Sequence, residues 1–190
     1  MAEVPNTPIW ESWESILHKS TALGQGISRD LIEKNTHLDG IAVVPRGGLY
    51  VVNILARQLG LSGDQVFSLG ISKYDREHPT QAGEFKVGQL PLQEDIEGKT
   101  ILLADEVSDT GETTKRAHGI LLNDLGAATV LTAAIHYKPG ENVTGIAPDY
   151  YVEETNGWVH YPWEGIDPVG SMHQMILNNG TATLGPTDKL

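Results

Sequence analysis

The sequence of 190 residues contains no cysteine, so disulfide bonds, thiolate metal sites and cysteine nucleophiles are all excluded. No stretch approaches the roughly 18 consecutive apolar residues that a membrane-spanning helix needs. The net charge is −12, which argues against a nucleic-acid surface, because phosphate backbones are bound by basic patches. The first residues, MAEVPNTPIWESWES, lack the basic and apolar segments of a secretion signal. We therefore expect a cytoplasmic protein.

Apolar residues make up 39% of the chain, which is enough for one hydrophobic core of ordinary domain size. Short apolar runs predict strands, and apolar residues at helical spacing predict helices. The predicted strands are 40–44, 66–71, 100–104, 128–135 and 149–154, with a short one in FKVGQL, and the predicted helices are 10–24, 48–60, 112–125 and one near 168–178. This alternation predicts an α/β fold: a mostly parallel, twisted sheet flanked by helices.

The stretch LLADEVSDTGETT, residues 102–114, places three acidic side chains at the end of a predicted strand, beside a small polar turn. In parallel sheets, ligands bind beyond the carboxyl ends of the strands. That rule directs attention to residues 45–48, 72–74, 105–113 and 137–139.

The DTGETT turn, which enters a predicted helix, is suited to bind a phosphate group. Free N–H groups at a helix start carry partial positive charge. The hydroxyls of Thr110, Thr113 and Thr114 add donors, and Gly111 lets the backbone approach a ligand closely. A simpler interpretation makes Asp109 an N-cap and Glu112 its capping-box partner. That interpretation leaves the two preceding acids unexplained.

Asp105 and Glu106 are adjacent carboxylates, which repel each other unless something binds them. A sugar diol can donate hydrogen bonds to both, and Mg²⁺ can bridge a carboxylate to a phosphate. The pattern therefore predicts a phosphorylated sugar as the ligand, with its phosphate in the turn and its hydroxyls on the acids.

The order of apolar strand, two acids and V-S-D-T-G-x-T resembles the signature of type I phosphoribosyltransferases, which bind 5-phosphoribosyl 1-diphosphate. Four other segments follow in the order of the family. The family's diphosphate loop resembles VPRGGLYVVNILARQLG (44–60), and the start of its flexible lid resembles ISKYD (71–75). The purine-recognition lysine motif resembles HYKPG (136–140), and the hood of bacterial xanthine–guanine (6-oxopurine) enzymes resembles WVHYPWE (158–164). The resemblance implies the type I phosphoribosyltransferase fold as a single domain over 1–190, with a small hood from about 1–25 and 150–190.

The reaction implied by the resemblance is Mg²⁺-dependent transfer of the 5-phosphoribosyl group from phosphoribosyl diphosphate to guanine, xanthine or hypoxanthine, a step of purine salvage. Such a protein mainly positions its substrates and stabilises charge. By the resemblance, Asp109 is the catalytic base that meets purine N7. Asp105 and Glu106 bind the ribose hydroxyls, and Glu106 and Glu164 contact the metal. A homodimer or homotetramer that binds neither nucleic acid nor membrane is expected.

The remaining substrate contacts implied by the resemblance serve the diphosphate, the lid, the 5-phosphate and the purine. They are Arg46, Gly47 and Gly48 for the diphosphate; Lys73 and Tyr74 for the lid; Thr110, Gly111, Glu112 and Thr113 for the 5-phosphate; and Lys138, Trp158 and Val159 for the purine. Lys138 would donate to the oxygen on C6, Trp158 would stack on the ring, and the Val159 backbone would read the far edge. The family often has a cis peptide bond at the position of Pro45–Arg46.

The lid departs from the family pattern. Relatives carry an arginine just before the E-x-K-V that closes the lid, whereas this sequence has Gly83 there. Arg76 or Lys73 would then supply the positive charge. The polar composition of residues 74–84, which include proline and glycine, predicts a mobile loop.

Several aromatic and histidine residues are expected to have no direct contact with substrate. Trp10 and Trp13 are predicted to lie in the core, and Trp163 is predicted to pack against other residues. The seven histidines show no metal-ligand spacing, and we expect His118, His136 and His160 to be structural or at the surface.

Three other functions fit part of the pattern. A phosphoribosyltransferase for orotate, uracil or adenine shares the signature, but Lys138 and the hood over 158–164 favour a 6-oxopurine. A non-catalytic regulator that senses phosphoribosyl diphosphate usually needs a nucleic-acid surface, and the charge of −12 argues against one. Glutamine-dependent amidotransferases need a cysteine nucleophile and are excluded.

Overall fold

A computed structural model describes residue 4, residues 6–72 and residues 85–164. The strands are β1 Ile9–Trp10, β2 Gly40–Val43, β3 Val66–Ser68, β4 Ile71–Ser72, β5 Lys86–Val87, β6 Thr100–Ser108, β7 Thr129–Tyr137, β8 Tyr150–Glu154 and β9 Val159–His160; the helices are α1 Trp13–Glu33, α2 Gly48–Gln58, α3 Gln93–Ile96 and α4 Glu112–Gly119. The predicted helix near 168–178 and the predicted lid over 74–84 lie outside the described residues.

The central sheet has five parallel strands in the order β3-β2-β6-β7-β8, and it is covered by helices on both faces. Along β2, Ile41 and Val43 join the core under α1 and α2, whereas Ala42 joins the core on the side of α3 and α4. Burial on both faces explains why β2 and β6 appear in the sequence as continuous apolar runs. The predicted α/β fold is confirmed. None of the described helices is long and apolar enough to span a membrane.

The first helix is longer than predicted. It begins after Ser12, whose hydroxyl accepts a hydrogen bond from the Ser15 N–H at 3.1 Å. It continues to residue 33 rather than 24, because Ile27 and Leu31 extend its buried stripe by two turns. The second helix agrees with the prediction, and Gly60, with φ of +71°, takes the expected position after its end.

Two other predicted elements are divided. The strand predicted over 66–71 is interrupted at Gly70, and its second part pairs with β5 in a separate antiparallel ribbon. A Cβ at Gly70 would lie 3.0 Å from the backbone of Gln89, so the two chain segments pass very close here. The helix predicted over 112–125 ends at residue 119 and is followed by a π-helical turn, Ile120–Asp124.

The acidic residues belong to a strand rather than to the loop after it. The predicted strand ended at 104, whereas β6 continues to residue 108 because β7 runs beside it. Asp105 lies opposite Ala134, and Val107 lies opposite His136. The backbone that carries the acids is therefore fixed by the sheet.

Two distant segments meet outside the central sheet, where β1 and β9 form a parallel pair. The prediction that Trp10 and Trp13 lie in the core is wrong: they are 77% and 54% exposed. The buried stripe of α1 begins only at Ile16, so both tryptophans precede it. Trp163 does pack as predicted, with its ring stacked on Tyr50 at 4.5 Å. The pairing of β1 with β9 joins the two segments that the sequence assigned to the hood. The boundaries of the hood and of the domain remain a prediction.

Candidate active site

The loop before α2 packs directly on the acid pair of β6. A Cβ on Gly47 would lie 1.9 Å from Glu106 Oε1, and a Cβ on Gly48 would lie 2.8 Å from Asp105 Oδ1. Both distances are shorter than real Cβ contacts, so glycine is required unless the loop or the acids move. Because β2 and β6 are neighbours, their carboxyl ends deliver the loop and the acids to one place. The Pro45–Arg46 peptide bond is cis.

The acid pair is poorly satisfied by the protein itself. Asp105 Oδ1 accepts the Glu106 N–H at 2.9 Å. Oε2 of Glu106 is buried and has no hydrogen-bond partner among the described residues. Burial, followed by the charge of Glu106 and a hydrogen bond to it, raises the pKa of Asp105 well above its ordinary value. The pair therefore favours a ligand that brings positive charge or hydrogen-bond donors.

The acid pair fits a Mg²⁺ ion as well as sugar hydroxyls. Mg²⁺ is commonly bound by one or two carboxylates, with water and phosphate oxygens completing its shell. Tyr161 connects Glu164 to Glu106, because it donates its N–H to the Glu164 carboxylate at 3.3 Å and its hydroxyl to the Glu106 carbonyl at 2.9 Å. In the described part of the chain these acids join no group of three ligands around one point. An ion here would depend on water and phosphate oxygens.

The turn between β6 and α4 leaves the start of a helix without a side-chain cap. Gly111 is the N-cap, with φ of +79°, and α4 begins at Glu112. The interpretation of Asp109 as the N-cap is therefore wrong, because the N-cap position falls two residues later, at Gly111. Thr110 Oγ1 accepts a long bond of 3.4 Å from the Glu112 N–H, and Thr113 lies in the first turn. Such a helix start, with its N–H groups pointing outward, is suited to a phosphate.

The segment after β7 holds this turn in place. The Val143 N–H donates to the Thr110 carbonyl at 3.1 Å, and the Lys138 N–H donates to the Ser108 carbonyl at 2.9 Å. The turn between β6 and α4 and the segment after β7 are therefore linked, and a shift of that turn would also move Lys138.

Lys138 is buried against Asp109 rather than lying at the surface. It is 6% exposed, and its Nζ lies 3.3 Å from Asp109 Oδ2. The same Nζ lies 5.4 Å from the centre of the Trp158 ring, which is 63% exposed. A hydrogen-bond donor, a hydrogen-bond acceptor and an aromatic face thus meet at one point. A flat ring with polar atoms along one edge would match all three.

Val159 offers backbone groups next to this point. The carbonyls of Trp158 and His160 accept hydrogen bonds from Ile9 and Glu11 at 2.8 and 2.9 Å. Alternate residues of a strand turn their backbone groups to opposite edges. The N–H and carbonyl of Val159 therefore face away from β1, so β1 does not use them as hydrogen-bond partners.

Some predicted contacts lie outside the described residues, and others are open to solvent. Lys73 and Tyr74, together with Arg76 and Gly83, fall in the undescribed segment. Arg46 is exposed at the start of the glycine loop, where an anion can reach it.

The sequence does not reveal a partly buried cluster of polar side chains behind the acid pair. Lys19 Nζ lies 2.5 Å from both Glu11 Oε1 and Glu153 Oε2, and 3.2 Å from His136 Nε2. The two acids and the histidine are close enough to share a metal ion, but the lysine ammonium already supplies the positive charge. These residues come from four separate parts of the chain, so no spacing in the sequence connects them. His136 is fully buried, in agreement with the predicted structural role.

Comparison with known proteins identifies relatives over most of the chain. The profile of the phosphoribosyl transferase domain matches residues 12–164. The chain is 31% identical over 165 residues to the xanthine-guanine phosphoribosyltransferase of Idiomarina loihiensis, covering 84% of this chain and 88% of that one. It is 30% identical over 129 residues to the bifunctional protein PyrR of Citrifermentans bemidjiense, covering 65% and 72%. The crystal structure of a purine phosphoribosyltransferase from Pyrococcus horikoshii superimposes with a TM-score of 0.66 at 25% identity, covering 82% and 93%.

The repulsion within the acid pair predicts that Asp105→Asn stabilises the protein in the absence of ligands. Asparagine removes a buried charge, keeps an oxygen to accept the Glu106 N–H and offers an amide donor to the Glu106 carboxylate. We expect the melting temperature in EDTA to rise by about 2–4 °C, or roughly 1 kcal/mol for a domain of this size.

The matched control is Asp39→Asn, at the other end of β6. Asp39 Oδ2 accepts the Thr100 N–H at 2.8 Å, and its ion-pair partner is His37 rather than another acid. This variant should not raise the melting temperature. An Asp105→Asn protein that melts at or below the wild-type temperature would contradict the repulsion argument.

Proposed function

Because the chain belongs to the phosphoribosyl transferase family, we propose that it transfers the 5-phosphoribosyl group of phosphoribosyl diphosphate to a 6-oxopurine. The acceptor is guanine, xanthine or hypoxanthine, and the products are a nucleoside monophosphate and diphosphate, as in purine salvage. The observation that carries this proposal is the placement of Lys138 beside Asp109, with Trp158 next to them.

The purine edge matches this pair of side chains. The oxygen on C6 and the ring nitrogen N7 are neighbours on one edge of a 6-oxopurine. Lys138, which can only donate, would turn to the oxygen, and Asp109 would turn to N7 when that nitrogen carries the proton. The separation of 3.3 Å between the two side chains suits two such adjacent atoms. Trp158 would stack on the ring, and the Val159 backbone would read the opposite side.

The sugar phosphate would occupy the remaining groups of the site. The start of α4, with Thr110 and Thr113, would bind the 5-phosphate. Asp105 and Glu106 would accept hydrogen bonds from the two ribose hydroxyls, which would relieve their mutual repulsion. Arg46 and the glycine loop would bind the diphosphate through charge-assisted hydrogen bonds and backbone N–H groups.

The reaction needs one proton acceptor and stabilisation of a leaving anion. N9 of the purine forms a bond to C1 of the ribose while the bond from C1 to the diphosphate oxygen breaks, and the electron pair of that bond leaves with diphosphate. Asp109 accepts the proton from N7 as the ring becomes part of the nucleotide. The rest of the site orients the two substrates and stabilises the positive charge that builds on the ribose.

Magnesium is the cofactor we propose, held by Glu106 and, directly or through water, by Glu164. When bound, it supplies positive charge that neutralises the diphosphate. The unpartnered Glu106 oxygen supports this assignment. A cytoplasmic location and a homodimeric or homotetrameric assembly remain expectations from the sequence.

Transfer to another base is the main alternative, since relatives of similar identity include both a xanthine-guanine phosphoribosyltransferase and a protein named PyrR. Lys138 opposes adenine, because an amino group on C6 would face an ammonium and leave two donors unpaired. A non-catalytic sensor of phosphoribosyl diphosphate would bind the sugar but use no base. A screen of guanine, xanthine, hypoxanthine, adenine, uracil and orotate with labelled phosphoribosyl diphosphate separates these possibilities.

Lys138 should decide which purines are accepted. We expect the wild type to favour oxopurines over adenine by roughly 30- to 1,000-fold in kcat/KM, from a mismatch on the order of 2–4 kcal/mol. Lys138→Gln offers an amide oxygen as well as a donor, so it should lose oxopurine activity and narrow that gap. Lys34→Gln is the matched control, because Lys34 also pairs with an aspartate, Asp30, at 2.8 Å but on the exposed end of α1. Unchanged rates and ranking in Lys138→Gln would rule out the assignment of Lys138 to C6.

Asp109→Asn should lower turnover by about 100-fold or more, the usual effect of losing a general base. Binding of phosphoribosyl diphosphate should change little, because the phosphate turn keeps its backbone. Steady-state kinetics and calorimetric titration measure the two effects separately. Asp30→Asn removes a lysine-paired carboxylate far from the purine and should leave turnover intact. Near-normal turnover in Asp109→Asn would exclude it as the base.

Binding of phosphoribosyl diphosphate should depend on Mg²⁺, because no basic cluster in the sequence can neutralise a diphosphate by itself. We expect the affinity to fall by at least about tenfold in EDTA, corresponding to roughly 1.4 kcal/mol or more. Calorimetric titration with and without Mg²⁺ measures this difference. Glu106→Gln should reduce the difference, whereas Glu94→Gln on exposed α3 should not. Equal affinity in both buffers would contradict the metal role of Glu106 and Glu164.

A further inference from the structure

A chain of polar groups crosses the protein from α1 to the acid pair. Lys19 Nζ lies 3.2 Å from His136 Nε2, and His136 Nδ1 lies 2.9 Å from the Tyr161 hydroxyl. The Tyr161 hydroxyl lies 2.9 Å from the carbonyl oxygen of Glu106. His136 and Tyr161 are both buried. The chain thus reaches the backbone of a residue proposed to bind ribose and metal.

Hydrogen counting gives this chain a single direction. A carbonyl only accepts, so the one hydrogen of the Tyr161 hydroxyl is donated to Glu106. The Tyr161 oxygen must then accept from His136, which places the histidine proton on Nδ1. Nε2 lies 3.2 Å from the Lys19 ammonium and 3.1 Å from Glu11 Oε1, and in the neutral ring it carries no proton, so it accepts from Lys19. Each group therefore donates towards the acid pair.

The protonation states agree with this direction. Burial, together with the charge of Lys19, lowers the pKa of His136, which favours the neutral ring. Burial and the charges of Glu106 and Asp105 raise the pKa of Tyr161, so its hydroxyl keeps its proton.

The far end of the chain is anchored by charge. Lys19 lies between Glu11 and Glu153, at 2.5 Å from each. Glu11 precedes α1 and Glu153 lies on β8, so the anchor ties the first helix to the edge strand of the sheet. His136 occupies the β7 position opposite Val107, the residue after Glu106.

We propose that His136 and Tyr161 are positioning residues, which hold the Glu106 peptide so that its carboxylate faces the glycine loop and the Mg²⁺-bound phosphoribosyl diphosphate. The inference rests on the proposed function, because it assumes that ligand. The close fit of Gly47 against Glu106 leaves little tolerance for movement. Loss of the hydrogen bond to the Glu106 carbonyl should therefore weaken binding of the sugar diphosphate more than binding of the purine.

Tyr161→Phe tests this inference, because it removes only the hydroxyl and keeps the ring stacked on Trp163 at 4.8 Å. We expect the dissociation constant for phosphoribosyl diphosphate in Mg²⁺, measured by calorimetry, to rise roughly three- to tenfold, the effect of about one hydrogen bond. The Mg²⁺ concentration for half-maximal binding should rise as well. The KM for guanine should stay within about twofold, because Lys138 and Trp158 are untouched.

Tyr150→Phe is the matched control. Its hydroxyl also donates to a partner on another element, Asp30 at 2.5 Å, and it lies outside the candidate site. This variant should lower the melting temperature about as much as Tyr161→Phe but leave the dissociation constant unchanged. Equal dissociation constants in the wild type, Tyr161→Phe and Tyr150→Phe would overturn the positioning role.

Variants of His136 give a second test should Tyr161→Phe fold poorly. Asparagine keeps an N–H near the position of Nδ1, whereas leucine removes it. Affinity for phosphoribosyl diphosphate should therefore decrease from wild type to His136→Asn to His136→Leu, and equal affinity of the two variants would contradict the proposal.

The binding measurement also separates the positioning role from the proposed function. Wild-type protein that binds phosphoribosyl diphosphate but uses none of the bases overturns the proposed function and leaves the positioning role to be judged by the affinities. Active wild type with unchanged affinity in Tyr161→Phe overturns the positioning role alone. Wild-type protein that does not bind phosphoribosyl diphosphate overturns both.

Discussion

The contact of the glycine pair Gly47–Gly48 with the adjacent carboxylates of Asp105 and Glu106 is the constraint on which the rest of the site depends. Gly47 and Gly48 lie so close to Glu106 and Asp105 that a residue with a Cβ would require the loop or the acids to move. This approach is possible because β2 and β6 are neighbouring parallel strands that end at the same edge of the sheet. The acids are held by pairing with β7 rather than by a flexible loop. The start of α4, proposed to bind phosphate, and the two carboxylates, proposed to bind ribose hydroxyls and Mg²⁺, therefore belong to the same end of β6.

Two lysines with acidic partners show how the same ammonium group can serve two purposes. Lys19 contacts two carboxylates and a histidine, which together satisfy its charge and fix it as an anchor. Lys138 contacts Asp109 at a longer distance and lies near the exposed ring of Trp158. Lys19 has little left to offer a ligand, because its three partners already occupy its N–H donors, whereas Lys138 would exchange its aspartate for a polar atom of the proposed purine. The two lysines therefore differ in their partners, which give Lys19 a structural role and leave Lys138 for the proposed recognition of the purine.

The acidic character of the protein is compatible with a polyanionic substrate. Partial positive charge comes from the starts of α2 and α4, neither of which carries a side-chain cap. The paired acids would bind hydroxyls and a cation rather than phosphate. Local groups of opposite character would therefore bind different parts of the proposed substrate, and a net charge of −12 is compatible with that binding.

The sequence by itself determined the α/β fold and the family, because apolar runs alternate with helical stripes and the signature over 102–114 is contiguous. It also indicated the loops that converge, since parallel strands bring their carboxyl ends together. Only the tertiary structure decided where β6 ends, because that depends on pairing with β7. It also decided that Trp10 and Trp13 are exposed, since both precede Ile16, where the buried stripe of α1 begins. The hydrogen-bonded groups of Lys19, His136, Tyr161 and Glu106 come from residues up to 142 positions apart in the sequence, the separation of Lys19 from Tyr161 (161 − 19). Local spacing carries no information about such contacts, which arise only when helices and strands pack against one another.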